Sequence, residues 1–182
     1  EDEEHPPETT RILERLELEY AARQADVDLL EEIVERESDL DRKFNVFRGE
    51  IDGQEASATD IEKILEKSDD DELRRKAWEA SKMVGPHVRD DVLELVRMRN
   101  EVARSQDYRD YYEMSLELQE LDEEELFEIL DELERKTRKP FREGKAKLDA
   151  RLATRFDCEA EALRPWHYDN PYFQRIRSTG DA

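Results

Sequence analysis

Apolar residues along this chain recur at three- and four-residue spacing, the period that places side chains on one face of an α-helix. The pattern predicts a first helix from about Thr9 to Gln24 and a second from about Val27 to Phe47, with Leu30, Ile33, Leu40, Phe44 and Phe47 sharing a face. RGEIDGQEAS (48–57) then brings two glycines and predicts a turn or a short hairpin. A short helix follows, capped by Ser57 or Thr59 and carrying Ile61, Ile64 and Leu65. Asp70–Asp71 opens the next, with Leu73, Ala77, Trp78 and Met83. Gly85–Pro86 interrupts it, because proline lacks a donor and clashes with the preceding turn. The period resumes at once with Val88, Val92, Leu95, Val96 and Val102, so a kink or a tight helix–helix joint is expected there.

YRDYYEMSLEL (108–118) reads as a shorter, tyrosine-rich helix. Asp122 followed by Glu125 resembles a capping box with Asp in place of Ser or Thr. Beyond it Leu126, Ile129, Leu130 and Leu133 form one face of a long helix; Pro140 is expected to bend it, and Phe141, Leu148 and Leu152 continue the face. After Phe156 the character changes, since RPWHYDNPYFQ concentrates prolines and aromatics. The organisation is thus a frayed acidic tail over 1–8, a helical region over 9–156, and an aromatic, proline-containing irregular segment over 157–182. The predicted class is all-α, a multi-helix array without internal repeats.

Composition sharpens this picture. Of 182 residues 36% are hydrophobic and 45% charged, so apolar side chains must be confined to narrow faces, and five glycines are too few for a turn-rich β sandwich. The net charge of −21 repels phosphate backbones and argues against nucleic acid as a partner. No apolar run approaches membrane-spanning length and no signal-peptide pattern is present, so no membrane partner and a cytoplasmic location are expected. The chain starts at Glu1 rather than Met, which points to a natural N-terminus further upstream.

Candidate chemistry is sparse. The single cysteine, Cys158, cannot form an intrachain disulfide or a thiolate-rich zinc site, and its neighbours Asp157 and Glu159 do not favour a nucleophilic thiolate. The three histidines are His5, His87 and His167; none has another four residues away, so no helix presents two imidazoles to one zinc ion. His5 falls in the tail, and His87 at a helix start suits plain solvation. His167, between Trp166 and Tyr168, either lines a pocket or packs with a backbone hydrogen bond. Carboxylate runs at 69–72 and 122–125 fit helix N-termini, where the dipole favours negative charge. Neither a phosphate-binding glycine loop nor a G-x-S-x-G elbow occurs.

Four segments add a resemblance: FNVFRGEIDG (44–53), RRKAWEASKMVGPHVRDDVLELVRMRNEVAR (74–104), YRDYYEMSLELQELDEEELFEILDELE (108–134) and LRPWHYDNPYFQ (163–174). Together, over roughly 12–174, the chain resembles the N-terminal helical portion of prokaryotic relatives of angiotensin-converting enzyme, zinc peptidyl-dipeptidases and oligopeptidases with an HExxH site. The resemblance implies part of a larger two-lobed helical fold with a deep cleft. It also implies zinc held by the two histidines of HExxH and a later glutamate, and a water activated by the motif's own glutamate. None of those residues exists in this sequence, so the expected cofactor of this chain is none, with zinc belonging to the intact enzyme. Trp166, His167 and Tyr168 match a stretch that precedes the catalytic half and are expected at the cleft wall or a contact surface. Animal members carry a chloride-binding arginine in a Tyr-Trp-Arg context; here Tyr111–Tyr112–Glu113 lacks it. RIRSTGDA (175–182) departs from the family pattern.

Two functions follow as expectations. One is the N-terminal segment of a zinc-dependent peptidase acting on short peptides, inactive alone and partnered by the missing catalytic half. The other is a non-catalytic helical interaction module that self-associates through exposed apolar faces. Uncovering several hundred Å² of apolar surface costs many kcal/mol at roughly 25 cal/mol per Å², which favours self-association of a chain lacking its partner. The carboxylate excess and the scarcity of lysine relative to arginine fit either adaptation to high salt or an ordinary, well-solvated acidic surface. Thermal melts in dilute buffer and in molar KCl separate these: salt adaptation raises the midpoint in KCl, and equal or greater stability in dilute buffer removes it.

Overall fold

The computed structural model describes residues 6–21, 24 and 26–172. Its helices are α1 (Pro7–Ala21), α2 (Val27–Val46), α3 (Ala58–Lys67), α4 (Asp71–Lys82), α5 (Val84–Ser105), α6 (Tyr111–Leu118) and α7 (Glu123–Arg155). One antiparallel hairpin, β1 (Gly49–Ile51) and β2 (Gln54–Ala56), lies between α2 and α3. Two single 3-10 turns, Ala160–Ala162 and Pro165–His167, follow α7. The protein is mostly helical, as the periodicity predicts.

Local chemistry explains the boundaries. The helix α1 starts at Pro7, with the Thr10 N–H donating to the Pro6 carbonyl at 3.0 Å. Proline is favoured in a first turn because its missing donor would have no partner there. Residues 1–5, including His5, fall outside the described residues. Ser57 caps α3 in a full capping box with Asp60, and this pairing holds the Asp60 carboxyl below its usual range. Asp70 caps α4 through the Leu73 N–H at 3.0 Å, and Asp122 caps α7 through the Glu125 N–H at 2.8 Å. Tyr108 lies outside α6 because Asp110 takes the cap position and accepts from the Glu113 N–H. At Gly85–Pro86 the chain makes a joint: α4 ends at Lys82, and Pro86 falls in the first turn of α5. The helical run of α7 continues through Pro140 to Arg155.

Asp52 and Gly53 form the two-residue hairpin loop, both with positive φ, as a type I′ loop requires. Gly49 is fixed by packing, since a Cβ there would lie 2.9 Å from the Ala80 Cβ. With few glycines available, acidic residues end three helices. Asp107, Glu120 and Asp157 adopt positive φ, and the next N–H in each case reaches back to the carbonyl five residues before it: Tyr108 to Ala103, Leu121 to Leu116, Cys158 to Ala153.

The chain divides into two compact units. The first takes in residues up to Leu40 together with Asp91–Glu132. Its core joins Ile33 of α2, Leu95, Met98, Val102 and Ala103 of α5, and Met114 of α6. The second takes in Asp41–Asp90 and the chain from Leu133 onward. Its core joins Ala56 of β2, Ile61 and Leu65 of α3, and Ala77 and Ala80 of α4, with Trp78 and Trp166 packed against it. Several positions of the predicted apolar faces stay open to solvent, among them Phe44, Met83, Val92, Val96 and Phe141.

Asp107 supplies a stability test. A left-handed backbone strains any residue with a Cβ, and the Asp107 side chain is exposed. Asp107→Gly is expected to stabilise the protein by about 0.5–1 kcal/mol, seen as a rise of the thermal midpoint by a few degrees. A midpoint that falls would show that the carboxylate contributes more than the strain costs.

Candidate functional site

The aromatic segment expected to bear function is built around a side chain that the sequence reading did not single out, Arg74 of α4. It is fully buried. Its guanidinium donates to four backbone carbonyls: Leu65, Ser68 at 2.7 Å, Trp166 at 2.8 Å and Tyr168 at 3.2 Å. The first two lie at the C-terminal end of α3, where carbonyls have no helical partner and the dipole favours a cation. The other two belong to the segment after α7. One planar fork therefore caps a helix and pins an irregular segment to it. Burial, then the neighbouring Arg155, pulls the Arg74 guanidinium down to about 10, against the opposing effect of Asp169, so it remains charged at neutral pH. The sequence signal was present: Arg74, Ala77 and Ala80 lie three apart on the buried face of α4, a charge in an apolar row.

Around this fork each expected site residue is engaged. His167 is buried. Its Nδ1 accepts from the Arg164 backbone N–H at 2.8 Å, which leaves the proton on Nε2, and Nε2 meets Asp71 Oδ1 at 2.6 Å. The same Asp71 oxygen accepts from Trp166 Nε1 at 2.8 Å. Asp71 opens α4, where the helix N-terminus favours its charge. The Phe156 ring stacks on His167 with centroids 4.7 Å apart, while the guanidinium carbons of Arg74 and Arg155 lie 4.8 and 5.0 Å from its centroid. Arg155 bonds Asp169 at 2.9 Å and Asp69 at 2.8 Å. The Tyr168 hydroxyl donates to Asp149 at 2.9 Å and accepts from Lys145 at 3.1 Å; Asp149 and then Tyr168 raise the Lys145 amine above its usual value.

Next to this cluster Lys82 donates to the Pro171 carbonyl at 2.9 Å and lies within 5.1 Å of the ring centroids of Trp78 and Tyr172; burial lowers its amine below the usual range. A cavity of about 150 Å³ in the same unit is lined by Phe44, Phe47, Ile61, Val84 and Tyr172. The expected residues Trp166, His167 and Tyr168 are not among its lining. Trp166 and Tyr168 are partly buried.

The zinc implied by the resemblance does not fit the residues present. Both His167 nitrogens are committed, one to a backbone donor and one to Asp71, whereas His87 is exposed with its ring 5.4 Å from that of Phe47. Among the described residues there is no group of three or more His, Cys, Asp or Glu able to hold a metal ion. Nor, among them, is any helix long and apolar enough to cross a membrane.

Comparison with known proteins gives one match: the family model described as angiotensin-converting enzyme covers residues 2–153. It ends before the aromatic segment, so Trp166, His167 and Tyr168 lie outside it. No curated protein and no solved structure matches the chain.

Arg74 makes the cluster testable. Arg74→Ala leaves four carbonyls without their donor and is expected to cost about 3–5 kcal/mol in urea unfolding. Arg74→Lys, with fewer donors and no fork, recovers only part of this. A loss below about 1 kcal/mol for the alanine variant would show that water replaces the guanidinium at those carbonyls.

Proposed function

Because the chain belongs to the angiotensin-converting enzyme family, we propose that it is the helical N-terminal part of a zinc-dependent peptidase that cleaves short peptides, and that it does not hydrolyse them alone. The observation that carries this reading is the family match over 2–153 in a sequence whose three histidines supply no zinc-ligand set. Catalysis then requires the HExxH-bearing half, and this chain's part is to build and hold one side of a peptide cleft.

Within that reading the aromatic segment contributes to the cleft wall. The Arg74 fork holds the backbone at Trp166 and Tyr168 and Asp71 holds the Trp166 indole, while both residues are only partly buried. Rigid, preordered rings lose little entropy on binding, which suits them to a wall rather than to proton transfer.

A second reading is a non-catalytic helical interaction module. Apolar residues left open on α1 and α7, including Ile12, Leu16, Phe127, Leu130 and Phe141, favour it.

The first reading is tested by dipeptide release from short synthetic peptides, using the chain alone, and then the chain mixed with an HExxH-containing C-terminal half of a family peptidase, with and without a zinc chelator. Chelator-sensitive release only in the mixture is the expected outcome. Zinc-dependent release by the purified chain alone, or none from a mixture shown to associate, would contradict it.

A further inference from the structure

Between α2, α5 and α6 the first unit leaves a cavity of about 160 Å³, and every residue around it belongs to that unit. Leu30 and Ile33 of α2, Val102 of α5, and Met114 and Leu118 of α6 give it an apolar wall, of which Ile33, Val102 and Met114 are buried. An apolar hole of similar volume is large enough to take benzene, so this one has room for a single branched or aromatic side chain. Its charged residues are Arg99 and Glu37, both half-buried. Arg99 Nε and Nη2 donate to the same oxygen, Glu37 Oε1, at 3.2 and 2.6 Å. That contact occupies one side of the guanidinium and no more. Five N–H donors surround the plane, and the end edge, made by Nη1 and the second Nη2 proton, matches a carboxylate as well as the side edge does. Among the described residues neither that end edge nor Glu37 Oε2 has a partner. The guanidinium is also placed over the Tyr111 ring, 5.5 Å from its centroid, and the Tyr111 N–H is tied to Asn100 Oδ1 at 2.9 Å.

The ion pair is neutral as a whole, and that decides what can join it. A bare carboxylate on Arg99 adds a negative charge beside Glu37, in a chain whose net charge is already −21. A bare ammonium on Glu37 sits against Arg99 instead. A zwitterion adds one charge of each sign and leaves the sum unchanged. In an α-amino acid the carboxylate, the ammonium and the side chain all hang from one carbon. One molecule can therefore meet the open edge of Arg99, Glu37 Oε2 and the apolar wall together. A residue inside a peptide carries neither charge, and a terminal residue carries only one.

We propose that the first unit binds a free α-amino acid with a branched or aromatic apolar side chain, of the size of leucine or phenylalanine. Its carboxylate pairs with the Nη1–Nη2 edge of Arg99, its ammonium donates to Glu37 Oε2, and its side chain enters the wall formed by Leu30, Ile33, Val102, Met114 and Leu118. The site is independent of the peptidase reading and of the aromatic segment at 166–168, which belongs to the second unit.

The experiment is isothermal calorimetry of the full 182-residue chain with L-leucine and L-phenylalanine, with circular dichroism to confirm that each variant is helical. One saturable site is expected, with a Kd on the order of 0.1–1 mM for so small a ligand. Leucinamide lacks the carboxylate and 4-methylpentanoate lacks the ammonium, and each is expected to bind about tenfold more weakly than leucine. Arg99→Met removes the fork and should weaken leucine by about tenfold or more. Glu37→Gln keeps the size of the side chain and removes its charge, so the preference should move from leucine toward 4-methylpentanoate. Ser115→Phe, at a half-buried position of the wall, fills the cavity and should abolish binding of every probe. No saturable heat from either amino acid up to about 10 mM overturns the site. Leucine binding that is unchanged in both Glu37→Gln and Ser115→Phe overturns its location. Equal affinity of wild type for leucine and 4-methylpentanoate overturns the zwitterion as the ligand.

Discussion

A buried guanidinium must find acceptors for its donors, and that constraint organises the second unit. Removing a charge from water costs several kcal/mol, which is recovered only when good hydrogen bonds replace the hydration. Arg74 recovers it from four carbonyls, two at the end of α3 and two in the segment at 166–168. The segment forms only single 3-10 turns, so Arg74, together with Asp71, Arg155 and Lys82, holds it in place. In return, the segment's carbonyls make the burial of Arg74 tolerable. Phe156, His167 and Arg155 complete the enclosure with ring faces and a second cation anchored on Asp169.

The same constraint answers the question left open about His167. A histidine between two aromatics can line a pocket or pack; here it packs, with Nδ1 accepting a hydrogen bond from the Arg164 backbone N–H and Nε2 facing the carboxylate that opens α4. An imidazole held at both nitrogens has no lone pair for a metal. The aromatic segment thus reads as a structural element whose side chains are tied to α4 and α7.

Much of the fold was legible because helix signals are local. The caps at Ser57, Asp70 and Asp122 and the Asp52–Gly53 loop each depend on residues within four positions of one another. What covers a helical face depends on distant residues, and periodicity is silent on that. It grouped Leu130, Leu133 and Phe141 on α7 correctly yet gave no sign that they remain open. Arg74 was missed for a related reason, since all four of its acceptors are more than five residues away and two lie over 90 residues along the chain. Pro7 was read as part of a frayed tail because the acidic composition outweighed its fitness for a first turn. The joint at Gly85–Pro86 was legible only as one of two alternatives, because Pro86 is compatible with a kink inside a helix and with the first turn of a new one.

Family membership and ligand chemistry thus pull apart in this chain: it belongs to a zinc peptidase family, while among the described residues His167 serves packing and His87 is exposed. Zinc titration of the purified chain by isothermal calorimetry tests this most directly. The predicted result is no stoichiometric heat of binding at neutral pH, with the chain folded throughout. One tightly held zinc ion per chain, lost on converting His87 or His167 to alanine, would contradict it.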